Sequence, residues 1–171
     1  VAAVVGCPIE VNLYYRTPER VSGLLSRLSQ QRDTVASEAA PGGWEGNWQE
    51  VVESVSLLGA AADHSISGLE GPRAKCCWEG IGQADVVLVP LEDGDRCEAL
   101  VAAGKQVLVV DLNPLSRTAM TATVTIVDEV SRAASELLGE VVSGDCEPGE
   151  WNNAAALNAA LEIISDASAE A

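Results

Sequence analysis

The segment ADVVLVPLEDGDRCEALVAAGKQVLVVD, residues 84–111, predicts a strand, a helix and a second strand in succession. Its apolar runs at 86–91 and 107–110 are typical of strands buried on both faces of a parallel sheet. Between them Ala99, Leu100 and Ala103 recur at helical spacing, and Gly104 ends the helix. This unit predicts two parallel strands joined by a right-handed crossover.

Strand and helix patterns also alternate along the rest of the chain. Strands are predicted at 9–13 and 121–127, and helices from Pro18 with Thr17 as N-cap, from Asp128 to about Leu138, and over 154–164. Residues 32–50 indicate an inserted loop with room for a short helix, residues 51–58 fit either a strand or a helix end, and residues 165–171 are expected to fray. The alternation predicts an α/β fold, a Rossmann-like and mostly parallel sheet with helices on both faces.

Composition and charge exclude several classes of partner and site. The 26 acidic and 10 basic residues give a net charge of −16, which repels nucleic acid and anionic membranes. Only Lys75 and Lys105 are lysines, and this scarcity favours a salt-adapted protein over an ordinary acidic domain. No apolar run approaches the length of a membrane span. Five cysteines without C-x-x-C spacing and a single histidine disfavour a zinc site and a disulfide framework, and favour reduced thiols in the cytoplasm.

A polar loop follows the first strand of the 84–111 unit. It brings three carboxylates and a guanidinium, those of Glu92, Asp93, Asp95 and Arg96, to the start of a helix. One Asp would suffice to cap the helix. Carboxylates crowded beyond that need favour binding of Mg²⁺, a ribose or a cationic substrate, and Asp93, Asp95 and Arg96 are the candidate catalytic residues.

A second polar loop follows the next strand, and parallel strands should place it beside the first. Asp111 and Asn113 suit hydroxyls or a purine edge, while Ser116, Arg117 and Thr118 suit phosphate oxygens. The alternative is a turn built on Asn113, with Arg117 paired to a neighbouring acid. Neither a G-x-x-x-x-G-K-[ST] cradle nor a G-x-G-x-x-G turn occurs in the sequence, so any nucleotide is held by other means.

These two loops resemble a known family. The runs 84–96 and 111–119, with 9–17, 68–73 and 123–128, resemble archaeal 4-phosphopantoate–beta-alanine ligases, also called phosphopantothenate synthetases. The resemblance covers about residues 1–135. It implies a Rossmann-like homodimer that makes 4'-phosphopantothenate for coenzyme A from 4-phosphopantoate, beta-alanine and ATP. The reaction passes through an acyl-adenylate and releases AMP and diphosphate.

The resemblance also implies a set of site residues. The family's ATP contacts fall on Asp111, Leu112, Asn113, Arg117, Thr118, Glu129 and Val130. Mg²⁺ near Asp93 and Asp95 would help Arg117 to stabilise the charge that builds up on phosphate. Asp95 would orient the amine of beta-alanine or accept its proton, and Arg16 and Lys75 are candidates for the substrate phosphate or are surface cations.

The expected organisation follows from the same resemblance. Residues 1–140 form an ATP- and phosphopantoate-binding domain, and 141–171 form a C-terminal linker and helix. Two family arginines would lie in an N-terminal segment that this chain lacks, so we expect a truncated member, and the lysine scarcity favours a haloarchaeal one. The alternatives are another Rossmann-like nucleotide-binding protein, either an oxidoreductase or a non-catalytic subunit.

Overall fold

The computed structural model describes residues 1–90, 94–145, 147 and 149–169. Its helices are α1 (Ala2–Val5), α2 (Pro18–Ser37), α3 (Trp48–Glu53), α4 (Gly94–Ala102), α5 (Arg117–Thr121), α6 (Val130–Ser143) and α7 (Asn153–Ala169). Its strands are β1 (Ile9–Glu10), β2 (Leu57–Leu58), β3 (His64–Ser65), β4 (Lys75–Cys76), β5 (Val86–Val89), β6 (Gln106–Val110) and β7 (Val124–Ile126). A 3-10 turn at Pro72–Ala74 and a π-helical turn at Trp78–Gly82 complete the elements. Within these described residues, no helix is long and apolar enough to cross a membrane.

The chain folds as two compact units. Unit 1 comprises Val1–Ile66, Glu70–Gln83 and Ala134–Glu147, and unit 2 comprises Ser67–Leu69, Ala84–Ala133 and Pro148–Ala171. The functional division into residues 1–140 and 141–171 stays a prediction.

Unit 2 contains a sheet in the order β5-β6-β7. Both pairs are parallel, with Val86 opposite Gln106 and Leu108 opposite Val124. Helices α4 and α5 connect the strands and both contact β6, and Leu100 in α4, Ala119 in α5 and Val107 in β6 are fully buried. The α/β class and the Rossmann-like arrangement of parallel strands flanked by helices are thereby confirmed.

The expectation that β5 is buried on both faces was wrong. Val86 is 51% exposed and Leu88 is 44% exposed, whereas Val107 and Val109 in β6 are fully buried. Successive side chains of a strand point to opposite faces, so β5 exposes one of its two faces. A continuous apolar run does not by itself show that both faces are covered.

The helix after β5 ends as the sequence predicts. Gly104 has a φ of 83°, a conformation that glycine adopts without strain, and its N–H donates to Val101 O at 2.9 Å. The helix stops at Ala102, however, so Ala103 is exposed rather than turned inward.

Unit 1 has two short sheets, the parallel pair β1-β2 and the antiparallel pair β3-β4. The predicted start of α2 is confirmed: Pro18 is its first residue, and Thr17 Oγ1 accepts from Arg20 N at 3.3 Å. Leu24, predicted on the buried side of α2, is exposed, whereas Val21 is buried.

Helices occupy both ends of the region predicted as an inserted loop at 32–50, and residues 38–47 between them are not helical. Helix α2 continues to Ser37 and α3 begins at Trp48, whose indole N–H donates to Val35 O at 3.0 Å. The chain then leaves α3 and enters β2, which resolves the choice left open for 51–58. That the region is an insertion relative to the family stays a prediction.

Other element bounds also differ from the predicted ones: β7 spans only 124–126 of the predicted 121–127, and α6 runs to Ser143 rather than ending near Leu138. Strand β1 spans only 9–10 of the predicted 9–13, and α6 begins at Val130 rather than at Asp128. Helix α7 runs to Ala169, whereas the sequence predicted fraying from residue 165. That prediction was wrong for residues 165–169. The preceding residues 154–162 are mostly Ala, Leu and Glu, which are strong helix formers.

Candidate functional site

The sequence-predicted site residues of unit 2 gather at the carboxyl ends of β5, β6 and β7, which we call the carboxyl edge. Asp95 lies in the first turn of α4, Arg117 and Thr118 begin α5, and Val130 begins α6. Because the three strands are parallel, the helices that follow them all start at this edge. Residues far apart in the sequence thus share one side of unit 2.

An ion pair joins two of the predicted residues across the carboxyl edge. Arg117 Nη2 donates to Asp95 Oδ1, and the two side chains are 55% and 42% exposed. A methyl group at Gly94 would overlap the Arg117 side chain, so glycine is what lets Arg117 reach across α4. The described end of the first polar loop, at the start of α4, therefore lies beside Arg117 as predicted. Asp93 lies outside the described residues.

Side-chain hydrogen bonds within the loop fix the shape of residues 111–116. Asp111 Oδ1 accepts from Asn113 N at 2.9 Å, and Asp111 Oδ2 accepts from Ser116 Oγ at 2.5 Å. Asn113 Oδ1 accepts from Leu115 N at 3.0 Å, and Ser116 Oγ caps α5 by accepting from Ala119 N at 2.9 Å. Both parts of the alternative interpretation therefore occur: a turn at Asn113, and an arginine paired with an acid.

The side chain of Glu129 caps the N-terminal end of α6. Its carboxylate accepts from Ser131 N at 3.0 Å and from Arg132 N at 3.1 Å, and these bonds lower the pKa of Glu129 below its usual value. The Arg132 guanidinium donates to Asp128 and lowers the pKa of that carboxyl too. Val130 is exposed beside them. Glu129 thus has a structural role that the resemblance did not imply.

Burial separates the remaining predicted residues of the carboxyl edge into two kinds. Arg96 is only 9% exposed and Thr118 is buried, whereas Leu112 is among the most exposed apolar residues. Cys97 is fully buried and its thiol donates to Thr118 O at 3.8 Å. Cys76 and Cys77 in unit 1 are buried as well.

The two predicted substrate-binding residues belong to unit 1 and differ in surroundings. Arg16 Nη2 donates to Gly59 O and, at 3.4 Å, to Ala60 O. Its Nη1 is buried and has no hydrogen-bond partner among the described residues. Lys75 is exposed, and its Nζ donates to Ser65 Oγ at 3.2 Å. Arg16 therefore has buried donor capacity left over, whereas Lys75 matches the surface-cation alternative.

Glu10 is a residue whose importance the sequence analysis missed. Its two carboxylate oxygens accept from Cys77 N and Ile81 N, each at 2.8 Å, and Asp63 accepts from Trp78 N at 2.8 Å. Burial, with a smaller effect of the Glu10 charge, raises the pKa of the Cys77 thiol. In the sequence Glu10 is only the polar member of an alternating strand, so nothing local indicates these contacts.

A metal site is not formed by the described residues alone. Across 1–90, 94–145, 147 and 149–169, no three His, Cys, Asp or Glu side chains come together to hold an ion. Asp95, the described member of the predicted Mg²⁺ pair, is instead paired with Arg117.

Comparisons with known proteins point to one family. A family model described as phosphopantothenate/pantothenate synthetase matches residues 1–166. A Thermococcus kodakarensis protein is 40% identical over 96% of this chain and 59% of its own length. Proteins from Methanosarcina mazei and Thermococcus onnurineus are 44% and 42% identical over 80% and 77% of this chain, and over 45% and 43% of their own. All three are named 4-phosphopantoate–beta-alanine ligase, and the chain spans about half the length of these curated relatives.

Proposed function

The chain belongs to the phosphopantothenate/pantothenate synthetase family, and from this membership we propose that it acts in the ATP-dependent ligation of 4-phosphopantoate to beta-alanine. The observation that carries the proposal is the family match over residues 1–166. The reaction yields 4'-phosphopantothenate, AMP and diphosphate, and serves coenzyme A synthesis.

ATP is proposed to bind at the carboxyl edge of unit 2. Asp111 and Asn113 would face the ribose or base, with Leu112 exposed between them. Arg117 and Thr118 would take phosphates, and Glu129 with Val130 would complete the site. What supports this assignment is the meeting of three helix N-termini and an exposed guanidinium at one edge, because N–H groups and Arg both favour phosphate oxygens.

The chemistry needs charge stabilisation in its first step. An oxygen of the phosphopantoate carboxylate bonds to the α-phosphorus of ATP, and diphosphate leaves with the electrons of the broken P–O bond. Negative charge builds up on the phosphoryl oxygens, and Arg117 would neutralise part of it. Arg96, being buried in α4, would act as a positioning residue rather than by touching substrate.

In the second step the neutral amine of beta-alanine attacks the acyl carbon and AMP leaves. The amine must lose a proton, and Asp95 would accept it or orient the amine. ATP phosphates would compete with Asp95 for Arg117, which would leave the Asp95 carboxylate available for this role. Mg²⁺ would enter with ATP, since it commonly binds through substrate phosphates and one or two carboxylates. The described residues do not form its site alone.

The decisive experiment measures AMP and diphosphate after mixing the protein with ATP, 4-phosphopantoate and beta-alanine, and again with each reactant omitted. We expect AMP only in the complete mixture, and its loss in Arg117→Gln. ATP binding without AMP formation would favour a non-catalytic subunit. Hydride exchange with a nicotinamide cofactor in place of AMP formation would favour an oxidoreductase. The proposed homodimer is tested separately by sedimentation.

A further inference from the structure

The first residue of α7, Asn153, joins two other elements of unit 2 through its side chain. Its Oδ1 accepts from Thr125 N in β7 at 2.7 Å, and its Nδ2 donates to Ala119 O in α5 at 2.8 Å. Both ends of the side-chain amide are therefore used. One side chain thus links the C-terminal helix to the last strand of the sheet and to the short helix before that strand.

Asn153 is not needed to cap its own helix, because the preceding residue does so. Asn152 Oδ1 accepts from Ala155 N at 3.0 Å, which is the hydrogen bond of an N-cap side chain. Asn152 O also accepts from Ala156 N at 3.1 Å, and this is the first backbone bond of the helix. The two adjacent asparagines therefore have different roles, and the partners of Asn153 lie outside α7.

The carbonyl oxygen of Ala119 needs a partner from outside α5. In a continuing α-helix it would accept from the amide four residues later, Thr123 N. That amide donates instead to Val107 O at 2.9 Å, because the chain has left the helix and joined the sheet. Ala119 is fully buried, and a buried carbonyl oxygen without a partner is costly. Asn153 Nδ2 and Thr125 Oγ1, each at 2.8 Å, satisfy it in place of the helix.

These hydrogen bonds bear on the proposed ATP contacts because α5 is short. It has only five residues, Arg117–Thr121, and a helix of that length is not stable without contacts from other elements. Ser116 Oγ accepts from Ala119 N at 2.9 Å, so side chains hold both backbone polar atoms of Ala119. Arg117 lies two residues before Ala119, and fixing Ala119 therefore also fixes the point from which the Arg117 side chain extends.

Helix α7 is anchored close to Asn153. Leu157 follows Asn153 by one helical turn, lies on the same side of α7 and is buried, whereas Ile163 and Ile164 farther along are exposed. The helix contacts both α5 and β7. The first two turns of α7 are thus the part that is attached to the rest of unit 2, and Asn153 is their polar contact with α5.

We propose that Asn153 is a positioning residue for ATP, which acts through Ala119 O to keep α5 where Arg117 can meet the phosphates. The choice of ATP rests on the proposed function, whereas the effect of Asn153 on α5 rests on the hydrogen bonds. The C-terminal helix accordingly contributes to the affinity for the nucleotide, although Asn153 itself does not touch it.

The test makes the same substitution at the two adjacent asparagines. Asn153→Asp removes the donor to Ala119 O, whereas Asn152→Asp keeps a side-chain oxygen that caps α7. Each adds one negative charge, so the pair controls for the charge of an acidic chain. In calorimetry we expect Asn153→Asp to weaken ATP binding by about 2- to 12-fold, the range for one net hydrogen bond, and Asn152→Asp to leave it unchanged. Parental ATP affinity in folded Asn153→Asp overturns the proposal.

A double-mutant cycle separates positioning of Arg117 from a general loss of stability. If Asn153 acts through Arg117, Asn153→Asp should weaken ATP binding much less in a chain that already carries Arg117→Gln. A loss of the same size in both chains overturns the proposal, because the effect would then not pass through Arg117.

Thr125→Val covers the case in which Asn153→Asp fails to fold. It removes the other donor to Ala119 O and leaves Asn153 in place, so it should weaken ATP binding in the same way. Thr125→Ser keeps the hydroxyl and should bind ATP more tightly than Thr125→Val. Equal ATP affinity in these two folded variants overturns the proposed action through Ala119 O.

Failure of this inference is distinguishable from failure of the proposed function. ATP binding that depends on Asn153, with no AMP formed from 4-phosphopantoate and beta-alanine, supports the inference and refutes the ligase activity. AMP formation whose KM for ATP is unchanged by Asn153→Asp refutes the inference and supports the ligase activity.

Discussion

Replacing Arg117 with Gln removes a guanidinium from the exposed ion pair with Asp95 while keeping the Ser116 cap of α5. The side chains of the pair are 55% and 42% exposed, so solvent screens the interaction. Exposed ion pairs contribute about 0.2–1 kcal/mol to the free energy of unfolding. A hydrogen bond to a charged phosphate contributes more, about 1.5–3 kcal/mol. The substitution should therefore weaken ATP binding about 10- to 150-fold and leave the fold almost equally stable.

Arg132→Gln is the matched control. Arg132 forms the corresponding ion pair with Asp128, with side chains 65% and 26% exposed, but is not one of the proposed ATP contacts. Calorimetry gives the dissociation constant of ATP for each variant, and urea unfolding gives the free energy of unfolding. Both variants should stay close to the parent in stability because solvent screens exposed ion pairs, and only Arg117→Gln should lose ATP affinity.

Two results would refute this reasoning. If Arg117→Gln binds ATP as tightly as the parent, Arg117 does not contact ATP and its role is limited to the surface ion pair with Asp95. If both variants lose ATP affinity equally, the effect is one of overall charge, because each removes one cation from a strongly acidic chain.

Four further predictions concern the same elements and the charge of the whole chain. Gly94→Ala puts a methyl group where the Arg117 side chain lies, so ATP affinity should fall without loss of helix content, measured by calorimetry and circular dichroism. Glu129→Gln should destabilise the protein at pH 7: the folded pKa of Glu129 is lowered, so its stabilisation is present above an unfolded pKa of about 4.3. That difference should vanish as pH falls through the folded pKa, and a difference in urea midpoint that persists at pH 2 would contradict the assignment. Gly80→Ala pushes a methyl group into the fixed Glu10 carboxylate and should cost about 1–3 kcal/mol in urea unfolding. The melting temperature should rise with KCl and with NaCl alike, because salt screens the repulsion among the acidic residues. Raising the ionic strength from about 0.1 to 1 M shortens the Debye length from about 10 to 3 Å. A melting temperature that does not change with salt would contradict the salt-adapted interpretation.

The features that the sequence predicted well depend on neighbouring residues. The order β5, α4, β6 follows from apolar runs separated by a helical pattern, and Gly104 marks the helix end through its own backbone conformation. Thr17 and Pro18 likewise start α2 through contacts within one turn. Such signals act over a few residues, so a single sequence carries them fully.

The features that the sequence did not predict depend on contacts between residues that are far apart in the chain. Glu10 binds amides 67 and 71 positions away, and no local pattern shows which backbone a strand-end carboxylate will reach. The exposed face of β5, with Val86 and Leu88, could not be foreseen because the periodicity of a run says nothing about what covers it.

The loop at 111–116 is a structural turn, and the same hydrogen bonds that shape it are compatible with ligand binding at the carboxyl edge. Each carboxylate oxygen of Asp111 accepts one hydrogen bond, from Asn113 N or from Ser116 Oγ. A carboxylate oxygen can accept more than one such bond. The bonds that shape the loop therefore leave acceptors in a fixed position. A ligand that meets a loop already ordered loses less conformational entropy on binding than one that must order it. The capping hydrogen bonds are thus a reason to expect tight binding at this edge, because they preorganise the groups that the ligand would contact.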